Sequence, residues 1–566
     1  MNSKGSSQKR SVLLPRSSID RWTTLTLWKQ DFGEGYKITM KQLKDYPLFS
    51  MTEKQESWIQ SHTMYLGDIH NHCGISYGHG TLAKAIDFAR QQLDFCSVTG
   101  HFAWPDMENT KGMDIPKEVR AYHKSGFAKL RQGWPSYLQQ MENAETAAFL
   151  PFPSYEYHSF LYGDYTVLCR HQGQHLPEDP PAGEPDLRLK TLIERNDPKV
   201  APFLAFPHHI GYKQGFRGIN WDAYNERTSP IVEILSMHGC AESHEAKLSY
   251  LHTMGPRSQE NTMQGGLKRG YRFGVVANTD HHNASPGSYG FGRTGVYAPA
   301  LTRDAIWNAL VDKQTIAFSG DGMRMALFLN DRPFASEAAA TPAHIDAYLV
   351  GFDCIDRFEL VHDGKVVASG LNPTVQAEGG FLPVTFGWGE KDAPCYWQVE
   401  IRTEGTLVAD AVPRLRGNDM VDPLEIPDQD DKEKTFFENK GGSVIVKAAT
   451  NGNKTATTNS TQGCVIETAG RDGKIFIKLH AQWKGYAIDK EYEYSIGDLA
   501  EAPKTEYIHG FVSPAIAVGP FTPLAEASSE IHIDIPAGQS GAYYVRAYEK
   551  NGDGAYSTPV WVNSRH

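Results

Sequence analysis

Two pairs of metal-binding side chains lie far apart in this chain. His70 and His72 follow the apolar run LGDI, and Asp280 and His282 follow the apolar run GVVAN. In an extended chain, residues i and i+2 point the same way, so each pair faces one site and His281 points elsewhere. His101, Glu156 and His208 lie between the pairs, each closing an apolar run of its own. Imidazole nitrogens mixed with carboxylate oxygens suit zinc, manganese or iron, and this many ligands would hold two or three divalent transition-metal ions. Such ions lower the pKa of bound water toward neutrality and polarise an oxygen under attack. The chemistry this implies is hydrolysis by a metal-bound hydroxide.

The competing explanation is that these are core histidines satisfied by backbone groups. The distribution argues against it: sixteen of the 22 histidines fall between His62 and His282, under half of the chain. Not all of them belong to the set. His62, His123, His175, His244 and His252 sit among polar neighbours and read as surface residues; for His158 and His171 both readings stay open.

The elements that would position these residues follow from patterning. LGDIH (66–70) and DFCSVTGH (94–101) read as buried strands flanking an amphipathic helix, TLAKAIDFARQQ (81–92). Further strands are expected at FLPFPSYEY (149–157), YTVLCR (165–170), PFLAFPHH (202–209), PIVEILS (230–236) and GVVAN (274–278), with a closing helix at LTRDAIWNALVDK (301–313). Alternation of this kind indicates an α/β sheet or barrel with parallel strands, and active sites assemble at the strand ends of such domains. After about Met323, alternating strands and turn signals such as HDGK and NGDG indicate antiparallel sheets packed as a sandwich. The expected division is an N-terminal tail and lead-in (1–60), a metal-binding α/β barrel (61–322) and β-rich sandwich material (323–566). A charged stretch, DPLEIPDQDDKEK (422–434), reads as a loop or linker.

Bulk composition narrows the function. A formal charge of −11 disfavours nucleic acid and anionic membranes as partners. Seven cysteines without a CxxC pair suggest neither a disulfide framework nor a thiolate zinc site. The polar N-terminus, loose to about residue 18, lacks the apolar stretch of a secretory signal, and no segment has the length of a membrane span. The expectation is a cytoplasmic enzyme with a small-molecule substrate. A symmetric homo-oligomer is the general expectation for an enzyme of this size.

The motifs resemble those of the PHP (polymerase and histidinol phosphatase) superfamily. They stand here as Gly67-Asp68-Ile69-His70-Asn71-His72, Thr99-Gly100-His101, Tyr155-Glu156, Pro207-His208-His209 and Asp280-His281-His282. Within it the chain looks like the DUF3604 branch, related to carbaryl-hydrolase-like metallohydrolases. VEILSMHGCAE (232–242), TDHHNASPG (279–287) and the terminal YYVRAYEKNGDGAYSTPVWV support that placement. The likeness covers roughly residues 64–375 and 540–562. It implies a distorted barrel of seven β/α units and metal ligation by His70, His72, His101, Glu156, His208, Asp280 and His282. Asp164 falls where relatives often carry a histidine ligand. His79 lies near where many members place an extra histidine, with the spacing one residue long. Gly100 replaces the usual aspartate of T-D-H, so another group must orient His101. His238 and Glu242 match a family stretch and are read as acid/base or supporting residues. Asp280 or His238 would manage protons.

Lys213, Arg217 and Arg293 lie near motif ends and are read as candidates for binding an oxyanion or an anionic substrate. Aromatic residues around the motifs, including Tyr77 and Trp104, would suit an apolar or aromatic ligand. The expected reaction is cleavage of an ester, amide or carbamate. A phosphoesterase on the same site is the nearest alternative. An amidohydrolase would need a middle-strand lysine that is not evident here. A non-catalytic binding module with a degenerate barrel would leave seven costly polar groups unused.

Overall fold

The segment DFCSVTGH shows how this chain builds its site: it forms two strands, not one. Phe95–Cys96 pairs in parallel with the strand before it, and Thr99–Ala103 pairs in parallel with Ser154–Tyr157. The chain therefore steps from one sheet to another within a few residues and delivers His101 to a new wall. The computed structural model describes residues 40–108, 115–177, 187–248, 255–339, 342–374, 378–390, 393–418, 435–452 and 460–563. The expected tail at 1–18, the charged stretch at 422–434 and His252 lie outside the described residues.

In chain order the first part of the fold comprises α1 (Glu53–Ser61), β1 (Thr63–Asp68), α2 (Leu82–Arg90), β2 (Phe95–Cys96), β3 (Thr99–Ala103), α3 (Lys117–Ala144), β4 (Leu150–Pro151) and β5 (Ser154–Tyr157). It continues through β6 (Asp164–Cys169), α4 (Leu187–Arg195), β7 (Phe203–His208), β8 (Ile231–Ser236), β9 (Gly239–Cys240), α5 (Met263–Lys268), β10 (Gly274–Ala277), β11 (Arg293–Ala298), α6 (Arg303–Val311) and β12 (Thr315–Phe318). Local chemistry sets the helix starts. Thr52 and Gln55 exchange bonds in a capping box at α1, and the Thr81 and Thr302 hydroxyls accept N–H groups at the starts of α2 and α6. α2 buries Leu82, Ala85, Ile86, Phe88 and Ala89, the stripe its periodicity predicts.

The fold is mixed α/β and rich in strands. The expected parallel alternation holds only in part. β1, β2 and β4 run parallel, as do β3 with β5 and β8 with β10. β1–β11, β5–β6, β6–β7 and β11–β12 are antiparallel. The strands near the motifs fall into three sheets, and the ladders among the described residues do not join into one closed cylinder. The connection between β5 and β6 is too short for the crossover that a parallel pair needs, so the chain reverses there.

Beyond Met323 the chain is strand-rich, and part of it forms two antiparallel sheets, while other strands join the sheet of β1. Leu382, Val384, Trp397, Val399, Val446 and Ile477, drawn from two antiparallel sheets, share one core. The last strands return to the first sheet: Gly554–Ser557 pairs antiparallel with β12, Ala317 opposite Tyr556. All described residues belong to the compact unit Ile38–His566. Among the described residues no helix is long and apolar enough to cross a membrane.

Candidate metal centre

Asp68, at the end of β1, ties the first histidine motif to the last. Its Oδ2 accepts from the Thr279 hydroxyl at 2.5 Å and from the Gly287 N–H at 2.8 Å, and its Oδ1 accepts from the His70 N–H at 3.2 Å. Backbone bonds continue the seam. The Asp280 N–H donates to the His70 carbonyl and the His72 N–H to the His281 carbonyl, each at 2.8 Å. Neither motif is regular strand. Asp280 has φ +51°, a left-handed backbone that surrounding structure must enforce in a non-glycine residue.

The imidazoles converge. His70 Nε2 and His72 Nε2 lie 3.2 Å apart. Glu156 Oε2 lies 3.6 Å from His70, 3.3 Å from His72 and 3.4 Å from His101, while Glu156 Oε1 lies 3.1 Å from His208. Asp280 Oδ1 is 3.0 Å from His72 and 3.5 Å from His70. Its Oδ2 is 3.1 Å from His238 and 3.3 Å from His209. His282 completes a triad with His72 and His101. The structure thus gathers all eight residues read as ligands, Asp164 included, with His158 and His209 beside them.

The opposite ring nitrogens are held from behind. His70 Nδ1 faces Glu233 Oε2 at 2.9 Å, His72 Nδ1 the Thr99 carbonyl at 2.8 Å and His101 Nδ1 the Ser76 hydroxyl at 2.9 Å. His208 Nδ1 faces the Thr166 hydroxyl at 3.1 Å, and His282 Nδ1 the Asp280 carbonyl at 2.8 Å. Metal-ligating imidazoles are fixed in this way, by a partner on the far nitrogen. Ser76 also answers the missing aspartate of the T-D-H motif. A Cβ on Gly100 would lie 2.3 Å from the Leu130 side chain, so α3 fills the space that an aspartate would need.

Electrostatics point the same way. Burial would raise the Asp280 and Glu156 carboxyls, but neighbouring imidazoles, led by His70 for Asp280 and His158 for Glu156, hold both well below the usual range. Burial and then His72 push His101 far down and His282 down to about 3. Burial also lowers His70, but Asp280 and Glu233 outweigh it and hold the ring above its ordinary value. Ionised carboxylates beside neutral rings such as His101 and His282 suit a ligand set, whose donors must be deprotonated to bind. Donor chemistry fits a cation as well. Glu156 Oε2 and Asp280 Oδ2 are buried and make no hydrogen bond. Ligand separations near 3.0–3.6 Å match the roughly 3.4 Å edge of a tetrahedron with bonds of about 2.1 Å.

The other residues singled out from sequence divide. His238 is at the centre, 12% exposed. Arg217 reaches it, 2.6 Å from Asp164 Oδ2. His79 is buried with its N–H on the His282 carbonyl, and its Nε2 has no hydrogen bond. Lys213 is exposed, its backbone N–H on the Pro256 carbonyl. Arg293 is not brought to the cluster: it is buried, its guanidinium bonded to the Gly287 carbonyl and to Gln92. Glu242 is buried in an ion pair with Arg546 at 2.8 Å and bonded to the Tyr544 hydroxyl.

His123 departs from its surface reading. It is buried on α3 against Tyr77 and Trp104, because α3 turns a stripe of His123, Phe127, Leu130 and Trp134 inward. His62 is half-buried, stacked on Trp58. His171, His175 and His244 are exposed, and His281 packs beside Phe291, away from the ligand triads. Glu233 was not singled out from the sequence. It also accepts from Asn278 at 2.9 Å. Glu233→Gln is expected to weaken metal binding about 10–100-fold while the fold is kept, as loss of such partners does; competition titration against a chromophoric chelator measures it.

No family model matches the chain. An uncharacterized protein of Chlamydia muridarum is 27% identical over 168 residues, 26% of this chain and 27% of that protein. One from Chlamydia trachomatis has the same identity and coverage. One from Chlamydia pneumoniae is 22% identical over 195 residues, 31% of this chain and 30% of that protein. The match thus spans under a third of the length of each of these relatives. Among solved structures, a two-domain protein from Bacteroides vulgatus containing a predicted PHP-like metal-dependent phosphoesterase is similar at 12% identity and a TM-score of 0.29. That likeness covers 82% of this chain and 100% of that one.

Proposed function

We propose that this chain is a metal-dependent hydrolase of PHP type, its three motif-bearing sheets forming the walls of a distorted barrel, and that it cleaves an ester, amide or carbamate of a small molecule. The observation that carries this is the arrangement of His70, His72, His101 and His208, each with one ring nitrogen fixed by the protein and the other turned toward Glu156. Together with Asp280 and His282 these residues would hold zinc, manganese or iron, which supply an activated water and a polarised substrate oxygen.

The chain's own groups do the rest. His238, on Asp280 and partly open to solvent, is placed to pass a proton between the centre and the outside. Tyr77, whose ring stacks on His101, and Trp104, whose ring stacks on His158, give the centre an aromatic wall suited to an apolar substrate group. Arg217 favours a second reading, a phosphate monoester, because a guanidinium beside the ligands is an anion anchor.

Metal analysis of the purified protein, with p-nitrophenyl acetate and p-nitrophenyl phosphate assayed before and after chelation, tests both. The expected result is bound transition metal and acetate hydrolysis that chelation abolishes and added metal restores. Cleavage of the phosphate alone selects the second reading. Protein that binds no divalent ion, or activity that survives thorough chelation, sinks both.

A further inference from the structure

We infer that Arg217 is a built-in cation that takes the place of a metal ion on the Asp164–His158 side of the centre, so that the protein holds two ions there and not three. This rests on the metal-dependent reading above.

Asp164 is fully buried and looks like a ligand, yet its Oδ2 meets the Arg217 guanidinium at 2.6 Å while its Oδ1 accepts the Ser159 N–H at 3.0 Å. The main chains are joined too, the Asp164 N–H donating to the Arg217 carbonyl at 3.3 Å. The same guanidinium bonds His158 Nδ1. Arginine only donates, so that nitrogen accepts and the ring proton sits on Nε2. Nε2 faces the Tyr77 hydroxyl at 2.9 Å and Glu156 Oε1 at 3.5 Å. The guanidinium therefore takes the Nδ1 of His158, while the ring's Nε2, like those of His70 and His72, faces Glu156.

The placement is enforced. Arg217 has φ +68°, and a Cβ on the next residue, Gly218, would fall 1.7 Å from the Tyr212 carbonyl oxygen, so the loop permits little freedom. The guanidinium also lies over the Trp104 ring, 5.1 Å from its centroid. Among the described ion pairs, Arg217 is the arginine or lysine that touches the ligand carboxylates, and it stands 3.9 Å from Glu156 Oε1. A divalent ion on Asp164 would have to share that carboxylate with a fixed positive charge.

The test counts ions. Wild-type protein and R217M are loaded with Mn2+, desalted and analysed by mass spectrometry, with R217K as the charge-conserving control. The expected result is two ions per chain in wild type and R217K and three in R217M. Anomalous diffraction from Mn2+-loaded wild-type crystals, which needs no variant to fold, is expected to show no peak in bonding range of Asp164 Oδ2 or His158 Nδ1. R217M that stays at two, or a wild-type peak on Asp164, overturns the inference while leaving the metal reading intact. Wild type that takes up no ion overturns both.

Discussion

Asp280→Asn is expected to lower kcat/KM on the order of 10³-fold, the scale on which loss of a group that stabilises charge in a closed site acts. The substitution keeps the shape and removes the charge. Asp280 serves two flanks: Oδ1 lies 3.0 Å from His72 and 3.5 Å from His70, and Oδ2 lies 3.1 Å from His238 and 3.3 Å from His209. An amide offers one acceptor, so one flank would face an N–H₂ group where a cation is wanted. The buried site would also lose one of the carboxylates that balance an ion's charge. Metal content should fall with activity, and the far-ultraviolet circular dichroism should stay as in wild type. Asp280→Asn with activity within a few-fold of wild type would remove Asp280 from the centre.

What the sequence disclosed about this centre was the set of residues that end apolar runs. His70, His101, Glu156, His208 and Asp280 could be found because strand ends converge in α/β folds. Glu233 could not be found by that rule, since it sits inside the run of β8. The usable signal was different: a glutamate within a buried strand needs a partner. Ser76 lies in a loop with no motif around it, and only the contact between Gly100 and Leu130 explains why it orients His101. α3 went unread because its polar residues and Pro135 obscured the stripe His123, Phe127, Leu130 and Trp134. Strand polarity was likewise hidden: the reversal between β5 and β6 depends on connection length, while the composition of a buried strand is the same in either direction. Arg293 shows the limit of placing a charge by its position after a motif, for its guanidinium turns back to the Gly287 carbonyl and reaches Gln92 from a distant part of the chain.

Gly417→Val, a change in the sandwich half of the chain, is expected to weaken metal binding about 10–100-fold, as misplacing a ligand does. The segment after the strand Val408–Arg414 lies on the loop that follows the last metal motif. The Tyr289 N–H donates to the Leu415 carbonyl at 2.9 Å, the Gly417 N–H to the Ser288 hydroxyl at 2.8 Å and Arg416 to the Tyr289 carbonyl at 3.2 Å. Deeper ion pairing anchors both sides. Arg414 grips Asp321, and the Tyr289 hydroxyl bonds Asp553 at 2.7 Å. Gly417 itself is the close approach: a Cβ there would meet Ser285 Cβ at 2.3 Å and His281 Cε1 at 3.0 Å. A valine must push the loop carrying His281 and Ser285, and with it the backbone between Asp280 and His282. Gly442→Ala, where a Cβ meets nothing within 4 Å, is the control and should leave affinity unchanged. The visible spectrum of Co2+-substituted protein separates the two kinds of effect, since a merely destabilised sandwich lowers the melting temperature without altering ligand geometry. If Gly417→Val keeps both the wild-type spectrum and the wild-type affinity, the sandwich rests on the metal loop without positioning it.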